Sequence, residues 1–498
     1  MESTFHKHIA PDARRLQWGL VVGLMVVSTV VASFIALKTG NRALMGGIVG
    51  LPLVVMLLSH PVRSLYLALI TFFTSLNVLR IASFSDASIF FSFAALACFF
   101  MVVFHRGRYI PQRGDRLFIG FLGVVLIIMA VRGTGLKFLG ATTWGGSPYI
   151  VYMAAMFFYY FSRRLRIDDK GIRRMLWLVL IVGVVNTLMQ RIGFLAVVDE
   201  MYETAKVRLQ WTTPMATALM LLALVVRWKK PWITVLLWVA AIGITGLAGF
   251  RNRIVGVLLL TAAFYFFRST NRRAYLVKAA LVGCLIWIMV VVVSPMLPPG
   301  LQRSISFIPG VSVSVEQAMS AESSTEWRYE IWRYCWAEVP NYLLVGRGIT
   351  FDVMEAGEEL GVADVQIRTQ WFMFFTHSYH SGPLTLLLDY GLLGTMFMLA
   401  IHIVFIAKCF RMGRALAGAD SLLSLFALFM LSSILTEIFS YWMMYGKTES
   451  LTTIIFEMGV LYIAYHSHLE QKASEADSVQ KKSTDHVPPM KPRLLEQA

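Results

Sequence analysis

Four stretches of this sequence carry residues that could do chemistry. The first is a basic turn, Gly249-Phe250-Arg251-Asn252-Arg253, between two hydrophobic runs. It brings two guanidiniums together at a chain reversal. Planar Arg donors match phosphate oxygens, so Arg251 and Arg253 suit an anion. Long side chains snorkelling from a membrane edge would use the same residues. The second stretch is aromatic, Trp327-Arg328-Tyr329-Glu330-Ile331-Trp332-Arg333. Ser323-Ser324-Thr325-Glu326 fits a capping box and predicts that a helix begins there. On that helix Glu330 precedes Arg333 by three residues and is its natural ion partner. The positions three and four residues either side of Arg328 are Ser324, Thr325, Ile331 and Trp332, and none is a carboxylate. Its guanidinium therefore answers to a ligand or to cation–π stacking on Trp327, Trp332 and Trp336. Tryptophans are also what a membrane interface collects.

The third stretch is His377-Ser378-Tyr379-His380-Ser381-Gly382-Pro383, which leads into a hydrophobic run holding Asp389, Gly391 and Gly394. A histidine at the mouth of such a run can titrate near neutral pH and act as a base. The two histidines are three apart, a spacing compatible with metal, but no third ligand of the usual kind lies near in sequence. No metal or cofactor is expected. Gly391 and Gly394 permit close packing against a neighbouring helix. The fourth group is three acids that interrupt apolar runs: Asp389, Glu437 and Glu457. Intramembrane acids are functional candidates by default. Each falls in the half of its run that faces the basic turn, whereas a proton-coupled transporter would place such groups near the midplane.

These residues need elements to hold them, and composition says which. Hydrophobic residues make up 57% of the chain and charged ones 15%, whereas soluble domains carry about a quarter charged. The apolar residues fall in blocks of roughly 15–24, the length that crosses a bilayer as a helix. Short alternating segments, the mark of a β-barrel, are absent. The expected fold is an all-α polytopic integral membrane protein of about 12–14 transmembrane helices. The first span, near 17–37, follows Lys7, Arg14 and Arg15; it is too long for a signal-peptide core and reads as retained. The formal charge of +16 needs no nucleic acid, because cytoplasmic loops of membrane proteins are basic. With the N-terminus inside, 29 of the 45 Lys and Arg fall in cytoplasmic segments and 16 outside. Both termini are then cytoplasmic. The chain divides into a helix bundle over 1–294, an extracytoplasmic loop domain over 295–383 between the eleventh and twelfth spans, membrane helices over 384–467, and a disordered cytoplasmic tail over 468–498. A loop of that length is usually functional.

The order of these marks resembles the O-antigen ligase and polymerase superfamily of bacterial envelope glycan enzymes. A basic turn, here Phe250-Arg251-Asn252, follows a hydrophobic span. An Arg-x-x-x-Trp element, Arg328 to Trp332, precedes Pro340 and Gly346-Arg347-Gly348. A histidine, His380, then precedes a helix with Gly391 and Gly394. The marks cover roughly residues 245–400. The family usually has Asn after that histidine and Ser-Arg-Gly in the turn; here Ser381 and Phe250-Arg251-Asn252 stand instead. The resemblance implies a metal-independent, inverting glycosyltransferase of the bacterial inner membrane, serving cell-surface polysaccharide or lipopolysaccharide biosynthesis. Its donor would be a glycan on undecaprenyl diphosphate and its acceptor a hydroxyl of a glycan or lipid. Arg251 (or Arg253) and Arg328 would grip the diphosphate, and His380, with His377 as the second choice, would act as base or position the acceptor. Arg253, His377, Arg347 and Asp389 would bind substrate. A flippase for lipid-linked glycans, or another polytopic transporter, is the alternative from a different class.

Overall fold

The structure is a computed structural model, described for residues 61–74, 114–136, 145–184, 212–226, 231–247, 251–350 and 373–485. The expected spans near 17–37, 43–59 and 87–104 lie outside these residues, as do Gly249 and Phe250. Among the described residues the regular structure is helical throughout. In chain order the helices are α1 (Pro61–Thr74), α2 (Asp115–Arg132), α3 (Ser147–Phe161), α4 (169–184), α5 (Thr212–Val226), α6 (Pro231–Leu247), α7 (Arg251–Arg268), α8 (Arg272–Val293), α9 (Pro299–Ile305), α10 (Val315–Tyr342), α11 (Gly382–Ala415), α12 (Leu422–Met443) and α13 (Thr448–Asp485). The segment Arg272–Met296 and helices α11 and α12 are long and apolar enough to cross a membrane.

Helix α12 is the centre of the bundle, packed against α13, α7 and α11. It buries Leu425 to Leu431 on every side, which leaves its few polar positions conspicuous. Ser421 caps it by accepting from the Ser424 amide at 3.1 Å, and Asn271 caps α8 by accepting from the Ala274 amide at 3.0 Å. Such caps answer amides that a helix start leaves unpaired.

Two sequence expectations meet a different structure. Helix α10 starts at Val315, not at Ser323, so Ser323 and Ser324 lie inside it. Ser314 takes the N-cap position in extended conformation, with Glu316 in the first turn, where negative charge suits the helix dipole. Helix α13 runs on to Asp485, through the first part of the segment expected to be disordered. Residues such as Glu470, Gln471, Lys472, Ala473 and Glu475 are good helix formers, and they extend a helix already nucleated by its packed half.

Helix α11 is broken at Gly391, whose φ of 69° is left-handed. The break explains the Gly346-Arg347-Gly348 motif. The Leu388 carbonyl accepts from the Arg347 amide at 2.6 Å, and the Asp389 carbonyl from the Gly348 amide at 3.0 Å. In return the Leu392 amide donates to the Leu343 carbonyl at 2.6 Å. The exchange needs bare backbone on both strands: a Cβ on Gly346 would stand 2.6 Å from the Asp389 oxygen, and one on Gly391 2.6 Å from the Leu344 oxygen. The crossing fixes the end of α10 against the start of α11, and with it the histidine loop between them.

Candidate active site

A cavity of about 1220 Å³ opens between α1, α5, α7, α10, α12 and α13. Its mouth is cationic, lined by Arg253 at the start of α7, Arg303 of α9, Arg328 of α10 and Lys447 of the α12–α13 connection. His380 is set among them. Phe72, Phe73, Met220, Val257, Leu260 and Phe429 make an apolar wall, and Glu437 and Glu457 lie in the same cavity.

The basic turn is built into the first turn of α7, and this separates its arginines. Residues two apart on a helix point roughly 200° from one another. Arg253 lines the cavity, whereas Arg251 reaches α10, donating to the Ala321 carbonyl and to Thr325 Oγ1 at 3.2 Å. Arg251 thus ties the helix that bears Arg328 to the helix that bears Arg253. Arg347 does not line the cavity. Its guanidinium lies 4.0 Å from the centre of the Phe374 ring and donates to the Phe374 carbonyl at 2.6 Å. It pins the loop that carries the histidines.

That loop holds two histidines in left-handed backbone, His377 at φ 56° and His380 at φ 54°. Such conformations cost a non-glycine residue about 1–3 kcal/mol and persist only where surroundings enforce them. Here Trp332 Nε1 donates to the Tyr379 carbonyl at 2.9 Å, and the Ser378 amide to the Met373 carbonyl at 2.9 Å. The two histidines face different partners as a result. His377 Nδ1 lies 2.8 Å from Asp389 Oδ1, which also accepts from the Tyr379 hydroxyl at 2.9 Å. Thr448 donates to Asp389 Oδ2 at 3.2 Å. The Tyr379 hydroxyl also lies 3.2 Å from His377 Nδ1, so carboxyl, imidazole and hydroxyl form one cluster. Asp389, fully buried, is the knot that joins loop, α11 and α13.

His380 turns instead into the cavity, between the rings of Trp327 at 5.3 Å and Tyr445 at 4.8 Å. Burial first, then the charges of Arg328 and Lys447, push its pKa down to about 4. It is therefore neutral at physiological pH, with Nδ1 buried and unpartnered among the described residues. Lys447 reaches it because the connection passes very close to the loop. A Cβ on Gly446 would lie 2.3 Å from the Gly382 Cα, and Thr385 Oγ1 donates to the Gly446 carbonyl at 3.1 Å.

The site thus gathers Arg253, Arg328 and His380 in one cavity and sets Arg251, Arg347, His377 and Asp389 around it as supports. Arg303 and Lys447 were not singled out by sequence reasoning. Lys447 carried a signal: it is the single basic residue of the short connection between two apolar runs. An Asp389→Asn substitution keeps shape but puts an amide where His377, Tyr379 and Thr448 converge on a carboxyl. We expect transfer to fall by about 10–100-fold, in line with charged hydrogen bonds worth about 1.5–3 kcal/mol, with the pH of the acid limb unchanged. Transfer rates across pH check this; an unaltered rate would remove Asp389 from the site.

The site is a basic, partly apolar pocket with a neutral imidazole at its centre, suited to an amphiphilic anion. Residues 236–399, from within α6 into α11, match the family described as O-antigen ligase. No curated protein matches the chain. The match supports the O-antigen ligase and polymerase superfamily and, with the apolar helices, a membrane enzyme that ligates glycans. It spans every cavity-lining cation except Lys447, and it ends before α12 and α13.

Proposed function

We propose that this chain, similar over residues 236–399 to O-antigen ligases, moves a glycan from an undecaprenyl-diphosphate donor to an acceptor hydroxyl at the extracytoplasmic face of a bacterial inner membrane. The observation that carries the reading is the single cavity holding Arg253, Arg303, Arg328, Lys447 and His380 beside an apolar wall. A lipid diphosphate has both properties: a dianion at one end and a hydrocarbon chain at the other.

The chemistry needs few parts. The acceptor hydroxyl attacks the anomeric carbon opposite the diphosphate. A C–O bond forms, the anomeric C–O bond to phosphate breaks with its electrons, and the anomeric configuration inverts. Arg253 and Arg328 orient the diphosphate and absorb the charge it gains. His380, neutral, accepts the hydroxyl proton. No metal is required by this scheme, because the fixed cations do the work of charge neutralisation. With both termini cytoplasmic, the cavity mouth and the 295–383 segment share the outer face. Clustering of the cations at one end of the bundle, rather than along a central path, favours a transferase over a flippase.

The deciding experiment incubates the purified protein with a lipid-diphosphate oligosaccharide. Elongated lipid-linked glycan, or glycan transferred to another acceptor, is the expected result. Movement of intact lipid across vesicles without any new glycosidic bond would replace the transferase by a flippase.

A further inference from the structure

The other end of the bundle carries a second cationic recess. Arg253 stands at the start of α7 and Arg268 at its end, about 22 Å further along the axis. Beyond Arg268 the chain turns into α8. There an open recess of about 570 Å³ lies between the α7–α8 connection and the end of α11. Three guanidiniums line it, Arg272 and Arg273 from α8 and Arg414 from α11. Ser269, Thr270 and Asn271 add polar groups, and no acid lines it among the described residues. Asp420, an acid just beyond α11, is engaged by Arg268 at 2.8 Å. Arg272 is fixed in place. Its guanidinium lies 5.4 Å and 5.7 Å from the centres of the Phe266 and Phe267 rings, and it donates to the Gly413 carbonyl at 3.3 Å. Arg273 and Arg414 are exposed.

The helix that leaves the recess supplies the second half of the argument. Helix α8 buries none of its residues among the described ones. After Lys278 it is apolar without a break to Val293. A helix apolar on every side and long enough to cross a bilayer meets acyl chains on whichever faces protein leaves open. Arg273 precedes that unbroken run by roughly 9 Å along the axis, which sets the recess at headgroup depth. A basic recess and an apolar face are thus continuous along one helix. One kind of molecule has both complements: a phosphate at one end and hydrocarbon chains at the other. We infer that this recess holds the phosphate of an anionic membrane phospholipid, whose acyl chains lie along α8. Planar guanidiniums match phosphate oxygens, and basic pockets between membrane helices take such headgroups. No lining residue is shared with the cavity of His380, so the inference stands apart from the reading of that cavity. The basic ends of membrane helices attract anionic lipid diffusely; a site differs in concentrating the attraction on the residues of one recess.

The test titrates the purified full-length protein in detergent with phosphatidylglycerol or with phosphatidylcholine of the same chains, and counts retained lipid by native mass spectrometry. Phosphatidylglycerol should be retained in preference. Arg273→Ala and Arg414→Ala should each weaken its retention about fivefold, the factor for one basic residue near a membrane surface, and together by about 25-fold. Arg173→Ala removes an equally exposed charge from α4, outside the recess, and should change nothing. Equal losses in Arg173→Ala and Arg273→Ala would make the attraction diffuse and overturn the site. Inorganic phosphate, which has no chains, should displace the lipid only at far higher concentration. Displacement at the lipid's own concentration would leave a plain anion site and overturn the phospholipid. Equal retention of the two lipids by the wild type removes the inference altogether. The lipid preference and the phosphate competition need no variant, so they decide even where a variant fails to fold.

Discussion

His380→Ala abolishes or nearly abolishes transfer while the donor lipid still binds. His380 lines the cavity between Arg328 and Lys447, with its ring against Trp327 and Tyr445. General-base assistance is worth about 10²–10⁴-fold, so alanine should cost that much in kcat and little in donor affinity. The pH dependence carries a second signature. In the free enzyme burial and two cations hold His380 near 4, and the base form is lost only as pH falls through that value. A diphosphate bound between Arg328 and Lys447 cancels the Coulomb part and lets the pKa climb back toward its ordinary value of about 6.5. The acid limb of kcat, which reports the complex, should therefore lie at higher pH than that of kcat/KM, which reports free enzyme. His377→Ala should cost less, because its imidazole is spent on Asp389 rather than on the cavity. Transfer rate and donor affinity, at matched protein levels, decide. A dead His377→Ala beside an active His380→Ala would reverse their roles; activity in both would take histidine out of the chemistry.

Much of this arrangement was legible in the residues, and the parts that were not share a cause. Apolar block length gave the helices, because a segment that must satisfy its own backbone in lipid has no other form. The isolation of Arg328 from local carboxylates pointed to a distant role, and the cavity is where it lies. Helix phase was harder. Whether Arg251-Asn252-Arg253 is a loose turn or the first turn of α7 decides which guanidinium sees the cavity, and no local signal sets that boundary. The same holds for the histidines, three apart in sequence yet aimed at different partners by two left-handed residues that only tertiary contacts enforce. Ser323 suggested a helix start because its capping box is real as a pattern; the helix instead begins after Ser314, whose side chain makes no capping bond. Gly346 and Gly391 could be read as close-packing positions, but their mutual crossing joins residues too far apart for any spacing rule. Lys447 and the Glu437–Glu457 pair belong to the cavity only because α12 and α13 fold back beneath the loop.

Arg253→Ala and Arg328→Ala each weaken donor binding and slow transfer by roughly 10²–10³-fold, the loss expected when one preorganised charge-stabilising donor is removed. The two sit on different helices, α7 and α10, and line one cavity. If both grip one diphosphate, the second loss costs less than the first, so the double variant falls short of the product of the singles. Lysine at either position keeps the charge but loses the planar fork, and it should restore only part of the rate. Arg251→Ala provides the contrast. Its guanidinium is engaged by the Ala321 carbonyl and Thr325, so its loss should loosen α10 and lower thermal stability along with activity. Arg333, exposed on the far side of α10, should tolerate lysine without change. Donor affinity, transfer rate and melting temperature for these variants separate the outcomes. Full activity in Arg253→Ala with loss in Arg251→Ala at unchanged stability would move the anion from the cavity to the α7–α10 contact. Strictly multiplicative effects of Arg253 and Arg328 would mean that they hold different groups, and the single-diphosphate geometry would then be abandoned.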